Sequence, residues 1–238
     1  MIEIVPFGEA SLLINFEQKV DLAINRQVTH LNRQLQLSNI EGITFTIPAY
    51  CSLTVGFDNE RWSFEELRLF ILEISKASTS NDDSAHLKFQ LPVCYEGEFA
   101  PDMEEVMRQT KLPKKEIIDL HSQGRYTVYM LGFLPGFAYL GTVADQIICQ
   151  RKKEPRLRVP PRSIGIAGYQ TAIYPSETPA GWQLIGQTPV DVFMAGKKDP
   201  FLLKAGDEVT FNRIDMREFD RIREKVVNDT FDYKSLHG

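Results

Sequence analysis

The sequence is poor in the features that mark a stapled, secreted or metal-bearing protein. It has three cysteines, Cys51, Cys94 and Cys149, far apart and odd in number. No Cys-x-x-Cys occurs, so a disulfide framework is not expected and a reducing compartment suits the chain. The histidines, His30, His86, His121 and His237, stand at no metal-ligand spacing, so no metal site is expected. No apolar run approaches the roughly 20 residues that span a bilayer. The start, Met1-Ile-Glu-Ile-Val-Pro6, lacks a basic region and a long apolar stretch, so no signal peptide is expected and the cytoplasm is the expected location. A net charge of -5 argues against nucleic acid as a partner, because neutralising phosphates takes a concentrated excess of Lys and Arg. Two catalytic signatures are also missing: the Gly-x-x-x-x-Gly-Lys-Ser/Thr phosphate loop and the Gly-x-Ser-x-Gly nucleophile elbow.

What is there is an ordinary globular composition over 238 residues, 43% hydrophobic and 25% charged, enough for one large domain or two modest ones. The first part reads as α+β. Glu3 to Val5 and Ser11 to Phe16 look like strands. Val20, Ile24, Val28, Leu31 and Leu35 then recur at helical spacing, with Gly42 as the stop. Ile43 to Ile47 and Leu53 to Phe57 are strand-like. Ser63 and Glu66 match a capping box for a second helix whose apolar face is Phe64, Leu67, Phe70, Ile71 and Ile74. This order suits a small sheet with both helices on one side. Ala77 to Ala85, small, polar and acidic, is the expected linker, dividing an α+β domain at 1–84 from a second domain at 85–238.

The second part opens with alternating Leu87, Phe89, Leu91 and Val93, a half-buried strand. Helices are expected over Asp102 to Gln109, capped by Asp102 with Glu105, and over Pro113 to His121. After Gly124, short runs at Thr127 to Leu131, Ile164 to Ala167, Ala172 to Tyr174, Gln183 to Gly186 and Val190 to Phe193 are punctuated by Gly and Pro. That pattern predicts a mostly β barrel with short helices, closed by Val209 to Phe211 and followed by a helix over Asp215 to Val227.

The candidate functional surface is the Gly-, Pro- and aromatic-rich segment from Tyr129 to Phe193. Its run Leu131-Gly-Phe-Leu-Pro-Gly-Phe-Ala-Tyr-Leu-Gly141 is either a binding wall, with Phe133, Pro135, Phe137 and Tyr139 facing substrate, or a loop packing its own rings. Arg151-Lys152-Lys153 continuing to Arg156, Arg158 and Arg162 is either a solvated loop or an anion site. Arg156, with Gln170, Tyr174 and Trp182, is a candidate substrate contact. Arg158, Gly165 and Gly168 are candidates to hold a cofactor phosphate, although an apolar run rather than a helix follows the glycines. Glu98 and Asp102 can form a carboxylate pair for acid–base work, or a turn and a helix cap. His121 can transfer protons, or sit at a helix end where a cation is favoured.

Taken in order, several segments resemble the B-type subunit family of bacterial 5-oxoprolinase. They are Val93-Cys-Tyr-Glu-Gly-Glu-Phe-Ala-Pro-Asp102, the aromatic run, Pro155-Arg156 to Val159-Pro160, Ser163-Ile-Gly-Ile-Ala-Gly168, Gln170-Thr-Ala-Ile-Tyr-Pro175 and Gly181-Trp-Gln-Leu-Ile-Gly-Gln-Thr-Pro189. Phe7-Gly-Glu-Ala-Ser-Leu12 and Ile47-Pro-Ala-Tyr-Cys-Ser-Leu-Thr-Val55 extend the likeness into the first part. That family also contains Kip-type inhibitors of a sporulation kinase and is often labelled allophanate hydrolase subunit 1. The resemblance implies an N-terminal α+β domain followed by a cyclophilin-like barrel. It also implies a subunit that works with a larger C-type subunit and an A-type subunit to open 5-oxoproline to glutamate at the expense of ATP, and that is inactive alone. Two alternatives come with it: an inhibitor of a sensor histidine kinase, and, from the barrel alone, a peptidyl-prolyl isomerase. The chain departs from the usual family residues at Ala100, Arg162, Ala172 and Ala180, where glycine is the rule, and at Pro161, where alanine is.

Overall fold

A computed structural model describes residues 2–77 and 86–238. The chain divides into two compact units, Met1–Ala85 and His86–Gly238. The expected linker past Ala77 lies outside the described residues.

In the first unit, strands β1 (Glu3–Pro6), β2 (Ser11–Asn15), β3 (Ile43–Pro48) and β4 (Ser52–Phe57) form an antiparallel sheet in the order β1-β2-β4-β3. Helix α1 (Leu22–Leu37) starts where Asp21 accepts hydrogen bonds from the backbone N–H groups of Ala23 at 2.8 Å and Ile24 at 3.3 Å. The helix therefore begins after Val20, which is exposed rather than part of its buried face. It ends at Leu37, short of Gly42, because Asn39 turns the chain at positive φ. Helix α2 (Phe64–Ala77) opens on the reciprocal Ser63–Glu66 box, with Ser63 N–H donating to Glu66 at 3.0 Å and Glu66 N–H to Ser63 Oγ at 3.3 Å. Leu12, Ile14, Leu53 and Val55 of the sheet share one core with Ile24, Val28, Leu31 and Leu35 of α1 and Leu67 and Ile71 of α2. Each such buried side chain contributes roughly 1.5–3 kcal/mol.

In the second unit, seven strands close a barrel: β5 (Lys88–Cys94), β6 (Tyr126–Leu131), β7 (Ala138–Gly141), β9 (Ser163–Ala167), β10 (Gln170–Ile173), β12 (Gln183–Gln187) and β13 (Glu208–Ile214). Their order around the wall is β10-β7-β6-β13-β5-β12-β9. The late strand β13 closes it, lying parallel to β5 from Glu208↔Lys88 to Ile214↔Cys94 and antiparallel to β6. A separate pair, β8 (Arg156–Val159) with β11 (Thr178–Ala180), forms a two-stranded sheet. The expected strand Val190 to Phe193 is not one. Val190 and Val192 are buried in the core, but the segment makes only the isolated bridge Phe193↔Phe201. Pro189, which has no N–H to donate, precedes it. Conversely, the aromatic run holds β7 beyond a turn in which Phe133 and Gly136 take positive φ. Helices α3 (Met103–Thr110), α4 (Lys114–Gln123) and α5 (Met216–Val227) complete the unit, α5 capped by Asp215 accepting from Glu218 N–H at 2.8 Å. No helix among the described residues is long and apolar enough to cross a membrane.

Alternation along the barrel strands sorts two cores. Leu140, Ile164, Ile166 and Ile185 join the main cluster with Phe89, Leu91, Tyr126 and Phe211. Tyr139, Ala167, Ala172 and Leu184 face the opposite way and pack with Phe137, Val159, Tyr174, Ala180 and Trp182. Residues of β8 and β11 thus cover one outer wall of the barrel.

His121 of α4 enters the main core and is fully buried. Its ring stacks on Phe211 at 4.7 Å between centroids. Thr171 Oγ donates its one proton to Gly165 O at 3.0 Å, so it must accept from His121 Nε2–H, also at 3.0 Å. Nδ1 then accepts from the Tyr95 hydroxyl at 2.8 Å. The tautomer is set by the network, and desolvation brings the imidazole pKa down from 6.5 to about 3. Below pH 6.5 the unfolded histidine takes a proton that the folded one refuses, so stability falls as pH drops from 6.5 towards 3. At about 1.4 kcal/mol per unit, wild type loses about 2 kcal/mol more than His121→Gln between pH 7 and pH 5. Urea unfolding at the two pH values checks this, and equal losses in both proteins refute it.

Candidate functional site

Asp102 stands just before α3, and its carboxylate is nearly sealed from water. The sequence pattern predicts a helix cap shared with Glu105, but Asp102 makes no cap bond. Its side chain turns away to the barrel instead. Oδ2 accepts from Arg156 Nη1 at 2.5 Å and from Leu184 N–H at 2.7 Å, and Oδ1 accepts from Arg156 Nη2 at 2.7 Å and Lys152 Nζ at 2.9 Å. Burial raises the carboxyl pKa, but the bonds from Arg156, Leu184 and Lys152 outweigh it and hold the group below its ordinary value. A bidentate guanidinium and a backbone donor supply what a desolvated carboxylate requires.

Beside this node lies an open groove of about 980 Å³ lined by residues that include Glu105, Arg108, Gln109, Cys149, Gln150, Arg151, Lys152, Lys153, Gly168 and Gln183. Its floor is held by a chain of directed hydrogen bonds. Gln183 Nε2 donates to Gln150 O at 2.9 Å, Gln150 N–H to Gln109 Oε1 at 2.8 Å, and Gln109 Nε2 to Glu105 Oε1 at 2.7 Å. Glu105 is also bonded by Arg108 Nε at 2.8 Å and Nη2 at 2.6 Å. Arg108 and Gln109 together bring its pKa down to about 2. Cys149, also in the groove, is buried, and desolvation pushes its thiol up to about 12, where it is no nucleophile.

The structure brings some of the expected site residues together and separates others. Phe137, Tyr139, Tyr174 and Trp182 form one aromatic cluster, with Phe137 centroids 4.7, 4.9 and 5.9 Å from the other three. Phe137, Tyr174 and Trp182 are buried, whereas Phe133, 5.5 Å from Phe137, is exposed, as is Pro135. Gln170 sits at the β10 end, paired with Ala167 and Gly141. Arg156 is committed to Asp102 rather than free for substrate. Glu98 is exposed on a turn and shares no hydrogen bond with Asp102, so the two do not form an acid–base pair. His121, enclosed with both ring nitrogens engaged, has no open face for proton transfer.

The glycine and arginine expected at a phosphate also lie apart. Arg158 is exposed and 3.7 Å from Glu177. A Cβ on Gly165 would meet Trp182 Cβ at 3.0 Å, so this glycine lets the tryptophan lie on the barrel wall. Gly168, at φ +58, turns β9 into β10, and no helix N-terminus follows. These residues do not fit nucleotide phosphates. Among the described residues no group of three or more His, Cys, Asp or Glu is placed to hold a metal ion.

Two of the departures from family glycines, Ala100 and Arg162, resolve differently. Ala100 has φ -127, which any residue adopts. Arg162 has φ 67, which costs about 1–2 kcal/mol outside glycine. Its guanidinium bonds Asp191 at 3.2 Å, an acceptor it shares with Arg223 at 2.9 Å.

Lys152 and the basic run are visible in the sequence as a charge cluster. Gln183 lies in the Gly181–Pro189 segment that carries the family resemblance, but nothing in that segment marks it as a binding residue, and its local signal is an amide heading the otherwise apolar stretch Leu184-Ile185-Gly186.

The carboxyltransferase domain family, subdomain C and D, matches residues 2–203. A Bacillus subtilis protein named as the B-type subunit of 5-oxoprolinase is 37% identical over 94% of this chain and 97% of its own length. The solved structure of TTHA0988 is 32% identical with a TM-score of 0.77 over 90% of this chain, and this chain spans only 40% of that one. The Kluyveromyces lactis urea amidolyase, at 17% identity, shares the fold with a TM-score of 0.76 over 99% of this chain and 17% of its own.

Asp102→Ala removes the buried member of the cluster and leaves the Leu184 N–H without its acceptor, while Arg156 and Lys152, each about a quarter exposed, turn to water. The expected loss is about 1–3 kcal/mol of unfolding free energy. The double variant with Arg156→Ala costs less than the sum of the single losses, measured as a double-mutant cycle in urea.

Proposed function

The chain belongs to the family of 5-oxoprolinase B-type subunits, and we propose from that premise that it is one subunit of a multi-subunit, ATP-dependent amidohydrolase that opens 5-oxoproline to L-glutamate. The observation that carries this reading is the 37% identity to the Bacillus subtilis B-type subunit over 94% of this chain and 97% of that relative. Its partners in the proposal are a larger C-type subunit and an A-type subunit. The shares of 40% and 17% that the chain spans in TTHA0988 and urea amidolyase support this, because there the same fold is one part of a longer polypeptide.

The chemistry of the second unit supports dependence on partners. A lactam is a poor electrophile, and opening it takes activation, a water nucleophile and proton transfer. Here His121 is enclosed, Asp102 is saturated with donors and Glu98 stands alone on the surface. ATP is therefore handled by the assembled complex, and no nucleotide site is assigned to this chain. In this reading residues 1–84 are an α+β domain and 85–238 a cyclophilin-like barrel domain that presents a preformed wall to substrate and partner. Phe133 and Tyr139 are the aromatic residues with surface to offer, and Phe137, Tyr174 and Trp182 stiffen the wall beneath them. Its free cysteines suit the cytoplasm.

Co-expression with the cognate larger and A-type subunits is expected to give ATP-dependent release of glutamate from 5-oxoproline, and this chain alone none. Absence of glutamate release with all subunits and ATP present overturns the reading.

A further inference from the structure

We propose that the groove beside Asp102 is the seat of the lactam acid, with Gln183 Oε1 accepting the ring N–H and Arg151 and Lys153 receiving the carboxylate. This rests on the reading of the chain as a 5-oxoprolinase subunit. The carrying observation is an orphan. Gln183 is 1% exposed, and its Oε1 has no hydrogen-bond partner. A buried acceptor left unmade costs free energy that a flip of the amide usually recovers. Here the flip is forbidden, because it would set Oε1 against Gln150 O, the carbonyl that Nε2 now serves. The bonds from Gln150 to Gln109 and on to Glu105 hold that carbonyl where it is. The side chain is thus kept with an acceptor in reserve, and it lines a groove open to a small molecule.

Charge defines the other end of the ligand. Glu105 and Arg108 satisfy each other, and Lys152 is spent on Asp102. Arg151 and Lys153 are exposed, and among the described residues neither has a carboxylate within 4 Å. The groove therefore has one neutral, unpaired acceptor buried in its wall, which a ligand reaches by displacing the groups that cover it, and two unspent cations at its rim. Its complement is a small acid that carries an N–H donor. In 5-oxoproline the ring N–H and the carboxylate are carried by one carbon, so a single small molecule supplies both groups. A nucleotide is the poorer match, because the nearby Gly165 and Gly168 make no phosphate cradle. Gln183 and the two cations are positioning residues in this account: they orient the lactam and leave its activation to the partners.

The test uses the full chain for binding and the assembled enzyme for turnover. Wild type is expected to bind 5-oxoproline in calorimetry and to discriminate strongly against N-methyl-5-oxoproline, which lacks the donor. Gln183→Leu and, separately, Arg151→Ala with Lys153→Ala are each expected to weaken binding and raise KM by about tenfold or more. The second pair is exposed, so its folding is not at issue, and circular dichroism checks the first. A working enzyme whose variants bind 5-oxoproline and turn over as wild type does overturns the seat and leaves the family function standing. Loss of affinity for ATP instead of 5-oxoproline in the cation variant also overturns it. No turnover by the wild-type complex overturns the function itself.

Discussion

The carboxylate of Asp102 gathers three parts of the second unit that are remote in sequence. A charged oxygen pair removed from water must find donors, and it finds the forked guanidinium of Arg156, the ammonium of Lys152 and the backbone N–H of Leu184. Those donors come from the strand β8, the basic segment before it and the strand β12. The start of α3, the edge of the outer sheet and the barrel wall are therefore held in one geometry. The groove exists because α3 and the basic segment are kept at a set separation, with Gln183 on the wall between them.

The barrel wall has two faces with different duties. Inward residues bury the main core, into which α4 delivers His121 as a neutral, doubly hydrogen-bonded ring. Outward residues of β7, β9, β10 and β12 carry the aromatic cluster, and Gly165 lets Trp182 lie close against the strand. A wall filled on both sides has little freedom to deform. Such rigidity suits a surface whose role is to hold a ligand and a partner in register, and it is consistent with a unit that lacks a complete set of reactive groups. Asp102 and His121 are both ionisable and both buried, yet each is held in one protonation state, by donors in the first case and by desolvation in the second.

Much of the fold was legible because it follows from local rules. The strands of the first unit, the Ser63–Glu66 and Asp215 caps, and the alternation from Phe89 to Val93 are written in spacing and in residue type. The closing role of Val209 to Phe211 was legible too, as one more β-run after many. Less was legible where a residue satisfies two patterns. Val190 to Phe193 has the composition of a strand but follows Pro189 and lacks a continuous partner. The aromatic run hides β7, because its glycines and proline read as loop while the turn at Phe133 and Gly136 frees the residues after it to pair. At the site, Asp102 followed by Glu105 spells a cap, and burial against Arg156 overrode it.

By itself the sequence determined the classes of element, the family, the exclusion of a disulfide framework, and the neighbourhood in which the aromatic and basic residues gather. Those properties depend on composition and on neighbours within a few positions. Tertiary structure alone decided which of these residues remain available. It spent Arg156 and Lys152 on Asp102, sealed His121 between Tyr95 and Thr171, and left Gln183 with an unused acceptor. Whether a polar group is free depends on what lies across from it at separations of 26 to 82 residues, as for Tyr95–His121 and Asp102–Leu184, and no local pattern encodes that.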